Sequence, residues 1–146
     1  DGVRNMIIDG KDLVLGRLAS FAAKRLLEGE RVTVVNAEQI VISGRKKATF
    51  DAYDAWLEIR NLTNPRKGPF HPKRPEELVR RTVRGMLPFD KPRGRGAYDR
   101  LRVHIGVPPE FVGKKMQTLP EASLERLGTR RFMRIGDISK HLGAKF

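Results

Sequence analysis

The sequence from Met6 to Val35 reads MIIDGKDLVLGRLASFAAKRLLEGERVTVV, and its pattern decides the fold. The apolar run Met6–Ile8 predicts a short strand, and the run Arg31–Val35, rich in β-branched residues, predicts a buried one. Between them, apolar residues recur at helical spacing over 15–27, and Gly29 ends the predicted helix. A strand, a helix and a second strand in this order indicate two parallel strands joined by a right-handed crossover.

The rest of the chain continues this alternation of strands and helices. Ile40–Ile42 is a third strand candidate and Arg102–Ile105 a fourth. Helices are expected over about 45–62, 75–86, 97–101, 121–127 and 130–142. A chain of 146 residues is expected to form a single domain over residues 1–146. We therefore expect an α/β fold in which helices cover both faces of a parallel sheet of about four strands, with further helices at the C-terminus.

A basic, proline-rich arm is predicted over about residues 63–75. Four prolines fall within residues 64–75, which excludes a helix there and disfavours a central strand. The arm should be extended, with a reach on the order of 30 Å. Its positive charges favour an arm that lies on a polyanion, where His71 could donate to a phosphate or stack on a base. These charges belong to Arg66, Lys67, Lys73 and Arg74.

The helix over 75–86 follows the arm. Pro75 suits the first turn of a helix, and Glu76 and Glu77 suit the positive end of its dipole. Arg80 and Arg84 are four residues apart and share one helix face, where like charges repel. Two interpretations remain open: an external anion lies opposite these arginines, or the arginines pair with the two glutamates. The apolar stripe expected to face the core consists of Val79, Thr82, Val83 and Met86.

A basic, glycine-spaced loop is predicted over about residues 88–96. Its cations are Lys91, Arg93 and Arg95. Arginine offers a planar fork of donors that matches phosphate, and glycine lets the main chain come close to a ligand. The backbone amides of nearby glycines are therefore expected to approach a phosphate backbone. These glycines are Gly85, Gly94 and Gly96.

The chain carries 30 Lys and Arg against 17 Asp and Glu, a net charge of +13. Residues 60–102 hold 13 of the basic side chains but only four of the acidic ones. This imbalance is self-repulsive in a compact fold unless a polyanion supplies the counter-charge. Nucleic acid is the first candidate, and an acidic membrane surface is the second. The residues predicted to contact nucleic acid are Arg45, Lys46, Lys47, Arg60, Arg66, Lys67, His71, Lys73, Arg74, Arg80, Arg81, Arg84, Gly85, Lys91, Arg93 and Arg95.

Few aromatic residues accompany these cations. The basic region contains only Phe70, Phe89 and Tyr98, and the predicted strands contain none. Proteins that read single strands place stacking aromatics on a sheet face. The pattern therefore favours recognition of folded RNA through its shape and backbone. A DNA-reading role for the helix that carries Arg80 and Arg84 stays open on charge alone.

The sequence offers little support for an enzyme. The chain contains no cysteine, which excludes disulfides and thiolate sites and fits a reducing cytoplasm. Gly10–Arg17 lacks both the spacing and the Lys-Ser/Thr end of a phosphate-binding loop, and no serine-nucleophile motif occurs. The histidines, His71, His104 and His141, are too scattered to suggest a metal site. We expect no catalytic residue, metal, cofactor or small-molecule substrate. Apolar runs reach only about four residues, so no membrane span or signal peptide is expected.

Five motifs occur in a characteristic order within residues 6–112: Val14–Ser20, Val34–Glu38, Ile42–Gly44, Arg81–Pro88 and Leu101–Pro109. Their order and spacing resemble those of the universal large-subunit ribosomal protein L13 family. A further stretch, Asn64–His71, is similar to the archaeal and eukaryotic branch of that family rather than to the bacterial one.

This resemblance implies a three-layer α/β/α fold and a structural role in the cytoplasmic ribosome. The expected partners are large-subunit rRNA, which the protein would clamp during assembly and hold afterwards, and neighbouring ribosomal proteins. A free RNA-binding regulator and a nucleotide-dependent enzyme are the alternatives. The functional residues that carry over from the family are Arg81, Arg84, Gly85, Met86, Leu87 and Pro88.

Overall fold

The computed structural model describes residues 5–44, 46–58, 73–126 and 131–146. For residues 46 and 56–58 it describes the backbone only. The predicted strand–helix–strand unit is present, and its two strands pair in parallel with Asn5 opposite Arg31 and Asp9 opposite Val35. The elements in chain order are β1 (Asn5–Asp9), α1 (Leu15–Leu27), β2 (Arg31–Val35), β3 (Val41–Ser43), α2 (Lys46–Glu58), α3 (Pro75–Arg84), α4 (Pro92–Asp99), β4 (Leu101–Val103), β5 (Phe132–Arg134) and α5 (Ile135–His141).

The parallel sheet has three strands in the order β1-β2-β4, which confirms the α/β class. A single parallel bridge between Ile8 and Gln117 extends it beyond β1. The third predicted strand, Ile40–Ile42, does not join this sheet, because β3 pairs antiparallel with β5 instead. Asn36 takes a left-handed φ of 56° and a 3₁₀ turn follows it, so the chain leaves the parallel sheet before β3 begins.

One core joins the parallel sheet to the helices. Helix α1 buries Leu18, Ala22 and Leu26, and it packs against α3 and α4. The face of the sheet that meets these helices is apolar, because successive residues of a strand point to opposite faces. Its buried side chains are Ile8, Val32, Val34, Leu101 and Val103.

Three predicted elements differ from the structure. The helix expected over 97–101 spans Pro92–Asp99, so the predicted loop over 88–96 is helical in its second half. The helix expected over 121–127 is replaced by two 3₁₀ turns, within the part that is described. The last helix begins at Ile135 rather than near residue 130, because the preceding residues form β5 against β3. The predicted arm, up to residue 72, lies outside the described residues.

An aromatic contact and a polar contact join helix α2 to α5. The ring of His141 stacks on Phe50 with centroids 3.9 Å apart, and its Nε2 lies 2.9 Å from a carboxylate oxygen of Asp54. On its other side, α2 approaches α3, where Ala52 and Tyr53 line a pocket together with Arg81. The helix is therefore placed between the C-terminal helix and the arginine-bearing helix.

Burial raises the pKa of Tyr53. A raised pKa in the folded state means that the stability contributed by Tyr53 is complete below the unfolded pKa, about 10, and is lost as the pH rises above it. We expect the melting temperature of the native protein to fall more between pH 8 and pH 10.5 than that of Tyr53→Phe. Thermal melts of both proteins at the two pH values check this, and equal falls would contradict it.

Candidate nucleic-acid interface

Helix α3 presents Arg81 and Arg84 to solvent because its other face is anchored. Leu78, Val79 and Val83 are buried, and they pack in the same core as α1. Arg81 and Arg84 lie in the last turn of the helix and are exposed. The predicted apolar stripe is correct at positions 79 and 83 but wrong at Met86, whose side chain is 43% exposed beyond the helix end.

The arginines of α3 are not neutralised by nearby acids. Glu76 forms its ion pair with Arg74, which precedes the helix. Among the described residues, no carboxylate forms an ion pair with Arg80, Arg81 or Arg84. The alternative in which these arginines pair with the glutamates of the first turn is therefore wrong. These arginines are therefore available to an anion from outside the described residues.

Two of these arginines rest on aromatic rings. The guanidinium carbon of Arg80 lies 4.9 Å from the ring centre of Tyr98, and that of Arg84 lies 4.2 Å from the ring centre of Phe89. The two rings meet edge to face, with centroids 5.5 Å apart. A guanidinium stacked on a ring keeps its in-plane N–H donors free for an anion. We call Arg80, Arg84, Phe89 and Tyr98 the arginine–aromatic cluster.

The arginine–aromatic cluster could not be read from the sequence. The sequence shows Phe89 and Tyr98 only as two of the few aromatic residues in the basic region, whereas the structure uses their ring faces to hold arginines. Tyr98 lies in α4 and Arg80 in α3, so the contact depends on how the two helices meet. No local spacing between these residues signals the contact, because they belong to separate elements.

The segment after α3 is fastened by contacts within the chain. Nε of Arg95 donates to the carbonyl oxygen of Phe89 at 3.0 Å, and its Nη2 donates to that of Asp90 at 3.2 Å. Arg95 is exposed, yet part of its guanidinium stabilises this turn rather than facing a ligand. Gly94 is buried, and a Cβ there would overlap the carbonyl group of Pro88. The predicted role of Gly94 in approaching RNA is therefore wrong, because this glycine lets α4 pack on the turn.

The other predicted contact residues divide into two groups. Those described are exposed cations close to either end of α3 or on α2, namely Lys47, Lys73, Arg74, Lys91 and Arg93. Gly85 is also exposed, directly after α3. The remainder lie outside the described residues or side chains: Arg45, Lys46, Arg60, Arg66, Lys67 and His71.

The carboxyl edge of the parallel sheet, where α/β enzymes bind their ligands, is used for internal hydrogen bonds. The Asp9 carboxylate accepts from the Asn36 side-chain amide at 2.9 Å and from the Lys11 backbone N–H at 3.0 Å. The Glu38 carboxylate accepts from the backbone N–H of Gly106 at 2.8 Å. In the described segments, no cluster of side chains is suited to hold a metal ion, and no helix is long and apolar enough to cross a bilayer.

Comparison with known proteins agrees with this arrangement. Residues 4–110 match the family described as Ribosomal protein L13. This chain belongs to the ribosomal protein L13 family. The large ribosomal subunit protein uL13 of Methanococcoides burtonii is 46% identical over 140 residues, which cover 96% of this chain and 99% of that protein.

Two further relatives in the L13 family are also large ribosomal subunit proteins uL13. The protein of Methanosphaera stadtmanae is 46% identical over 141 residues, which cover 96% of this chain and 98% of that protein. The protein of Methanocaldococcus jannaschii is 44% identical over 141 residues with the same coverage. These relatives place the chain in the archaeal branch. Membership of the L13 family confirms that the chain is a ribosomal protein and not an enzyme.

Tyr98→Leu tests whether the arginine–aromatic cluster positions its arginines. Leucine retains apolar volume but removes the ring face under Arg80, which is worth about 1 kcal/mol. We expect a threefold to tenfold weaker Kd for large-subunit rRNA, because Arg80 is no longer held in place. The melting temperature should also fall by a few degrees, because the Tyr98 ring packs against the core and on Phe89. Tyr98→Phe keeps the ring face and should bind like the native protein. Equal loss of affinity in both variants would instead implicate the hydroxyl group.

Proposed function

We propose that this chain is a structural constituent of the large ribosomal subunit that binds folded rRNA during assembly and holds it during translation. The observation that carries this proposal is the set of three arginines on α3 that no described carboxylate neutralises. Membership of the ribosomal protein L13 family supports it, as does the net charge of +13. Its location would be the cytoplasmic ribosome.

The proposed mechanism is neutralisation of phosphates by fixed cations. Arg80 and Arg84 are held on aromatic rings, so less conformational entropy is lost when they bind a phosphate. Arg81 and the exposed cations Lys73, Lys91 and Arg93 extend the same positive surface. Each neutralised phosphate should lower the slope of log affinity against log salt by about 0.7–0.9.

Neighbouring large-subunit proteins are the second class of proposed partner. Near the C-terminus, Phe132 is 38% exposed and Phe146 is 45% exposed. Exposed aromatic side chains of this kind are enriched where one protein covers another. The segment around β5 and α5 is therefore the proposed contact with a protein neighbour.

Sedimentation of the native protein from a gentle lysate, before and after a high-salt wash, tests the proposal. An integral constituent should stay with the large subunit through the wash, because its contacts are enclosed within the assembled subunit. A protein that never sediments with the subunit would favour a free RNA-binding regulator. A protein that sediments but washes off would be a peripheral factor.

A further inference from the structure

The parallel sheet has a second face that the interface on α3 does not use. Because side chains alternate along each strand, the residues between the buried ones point to the opposite side. One row across the three strands consists of Ile7, Thr33 and Arg102. In the neighbouring row on the same face, Asn5 lies opposite Arg31. We call this side the outer face of the sheet.

The outer face is partly open to solvent, around Arg31 and Arg102, in the part of the chain that the structure describes. Parallel sheets are normally covered by helices on both faces. Here the outer face borders a groove of about 420 Å³, whose far side includes Phe111 and Lys114. Arg31 and Arg102 are exposed, and Ile7 and Thr33 are half-buried. Among the described residues, the α-helices contribute only Asp99, the last residue of α4, to this groove, and Phe111 comes from a 3₁₀ turn, Pro109–Phe111.

The charge in this groove is strongly positive. Its lining includes three exposed cations, Arg31, Arg102 and Lys114, the half-buried Arg100, and one carboxylate, Asp99. The guanidinium of Arg102 donates to the carbonyl oxygens of Asp99 and Leu101, both at 2.8 Å, and that of Arg100 donates to the carbonyl oxygen of Leu26 at 2.6 Å. Backbone carbonyls orient these guanidinium groups without neutralising them, so the groove keeps an excess of positive charge that can attract an external anion.

An aromatic ring lies among these cations. Phe111 is half-buried, and Nζ of Lys114 lies 5.6 Å from its ring centre. Cations beside an aromatic face suit a nucleic acid, because phosphates bind the cations while a base or ribose packs on the ring. An acidic protein segment would match the charge of the groove, but it would gain less from contact with the Phe111 ring.

We propose that the outer face is a second RNA-binding site, which takes a segment of rRNA different from the one at α3. The two sites lie on opposite sides of the sheet, because α3 packs in the core formed by the inner face. The chain then binds two rRNA segments, one on each side of the parallel sheet. This inference rests on the proposed function and adds to it a second contact that the sequence did not indicate.

Hydroxyl-radical footprinting on deproteinised large-subunit rRNA tests the second site. The native protein should protect two separate sets of nucleotides. Arg31→Gln with Lys114→Gln should lose one set and keep the other, with a salt slope lower by about 0.7–0.9 for each lost phosphate contact. Lys11→Gln with Lys145→Gln removes two exposed charges elsewhere and should keep both sets. Thermal melts verify that each variant is folded.

A double variant at the outer face that keeps every protection would overturn the second site. If Arg81→Ala with Arg84→Ala loses its own set in the same experiment, the proposed function survives that failure. If neither pair loses a protection, the interface on α3 fails as well. Because the chain has no cysteine, Arg31→Cys gives a single cross-linking position in reconstituted large subunits. Cross-links to rRNA support the inference, whereas cross-links only to a protein would overturn it.

Discussion

Gly94→Ala should lower the free energy of unfolding more than an alanine at Gly85 or Gly96. An alanine Cβ at this position would overlap the carbonyl group of Pro88 and lie 2.9 Å from the backbone nitrogen of Phe89. Both obstacles are backbone atoms, so they cannot be relieved by a side-chain rotation. We expect a loss of about 3 kcal/mol or more, equivalent to a melting temperature lower by roughly 10 °C. Thermal unfolding followed by circular dichroism measures this loss.

Gly96→Ala is the matched control in the same helix. Its added Cβ would meet only the guanidinium of Arg100, at an ordinary contact distance of 3.7 Å. Alanine is favoured over glycine in a helix by about 0.5–1 kcal/mol, so this variant should melt at the same temperature or slightly higher. A Gly94→Ala protein as stable as Gly96→Ala would mean that α4 does not pack on the Pro88 turn.

Arg81→Ala combined with Arg84→Ala should weaken binding to large-subunit rRNA by roughly 30- to 150-fold. Two charge-assisted contacts to phosphate are together worth about 2–3 kcal/mol, which corresponds to that range in Kd. Both side chains are exposed, and neither forms an ion pair with a described carboxylate, so their removal should leave the fold intact. Filter binding at several salt concentrations, with a thermal melt of each variant, measures both effects.

The control for this double variant is Lys11→Ala with Lys145→Ala. It removes the same charge from exposed positions away from α3. Its Kd should change little, because an exposed cation without a phosphate partner contributes only a weak long-range attraction. If the two double variants lose the same affinity, binding depends on total charge and the arginines of α3 have no special role.

Much of the fold could be predicted because its signals are local. The strand–helix–strand unit from β1 to β2 follows from apolar spacing and from Gly29, which takes a φ of +95° at the predicted end of the helix. The start of α3 at Pro75 was also predicted, since proline and acidic residues suit a first helical turn. The position of β3 was predicted well, but its partner was not. A strand of three residues has no signal that distinguishes pairing with β5 from joining the parallel sheet.

The candidate site was predicted in part for a similar reason. The exposed arginines follow from a helical repeat that buries Val79 and Val83. Whether Arg80 and Arg84 pair with acids or stack on rings depends on where α4 lies. The glycines in this stretch favoured a loop over a helix, so the start of α4 at Pro92 was not predicted. The roles of Gly94 and Arg95 likewise depend on contacts with the turn at Pro88 and Phe89. The outer face has no sequence signal, because its cations come from two separate strands, the turn before β4 and a distant turn.

The sequence by itself determined the α/β class, the concentration of positive charge in residues 60–102 and the kinship with ribosomal protein L13, since these depend on local periodicity, composition and motif order. Only the tertiary structure decided which cations are free to bind an anion. The electrostatic free energy of a charge depends on its neighbours in space. Folding places aromatic rings under Arg80 and Arg84. It also places backbone carbonyls beside Arg95 and Arg102.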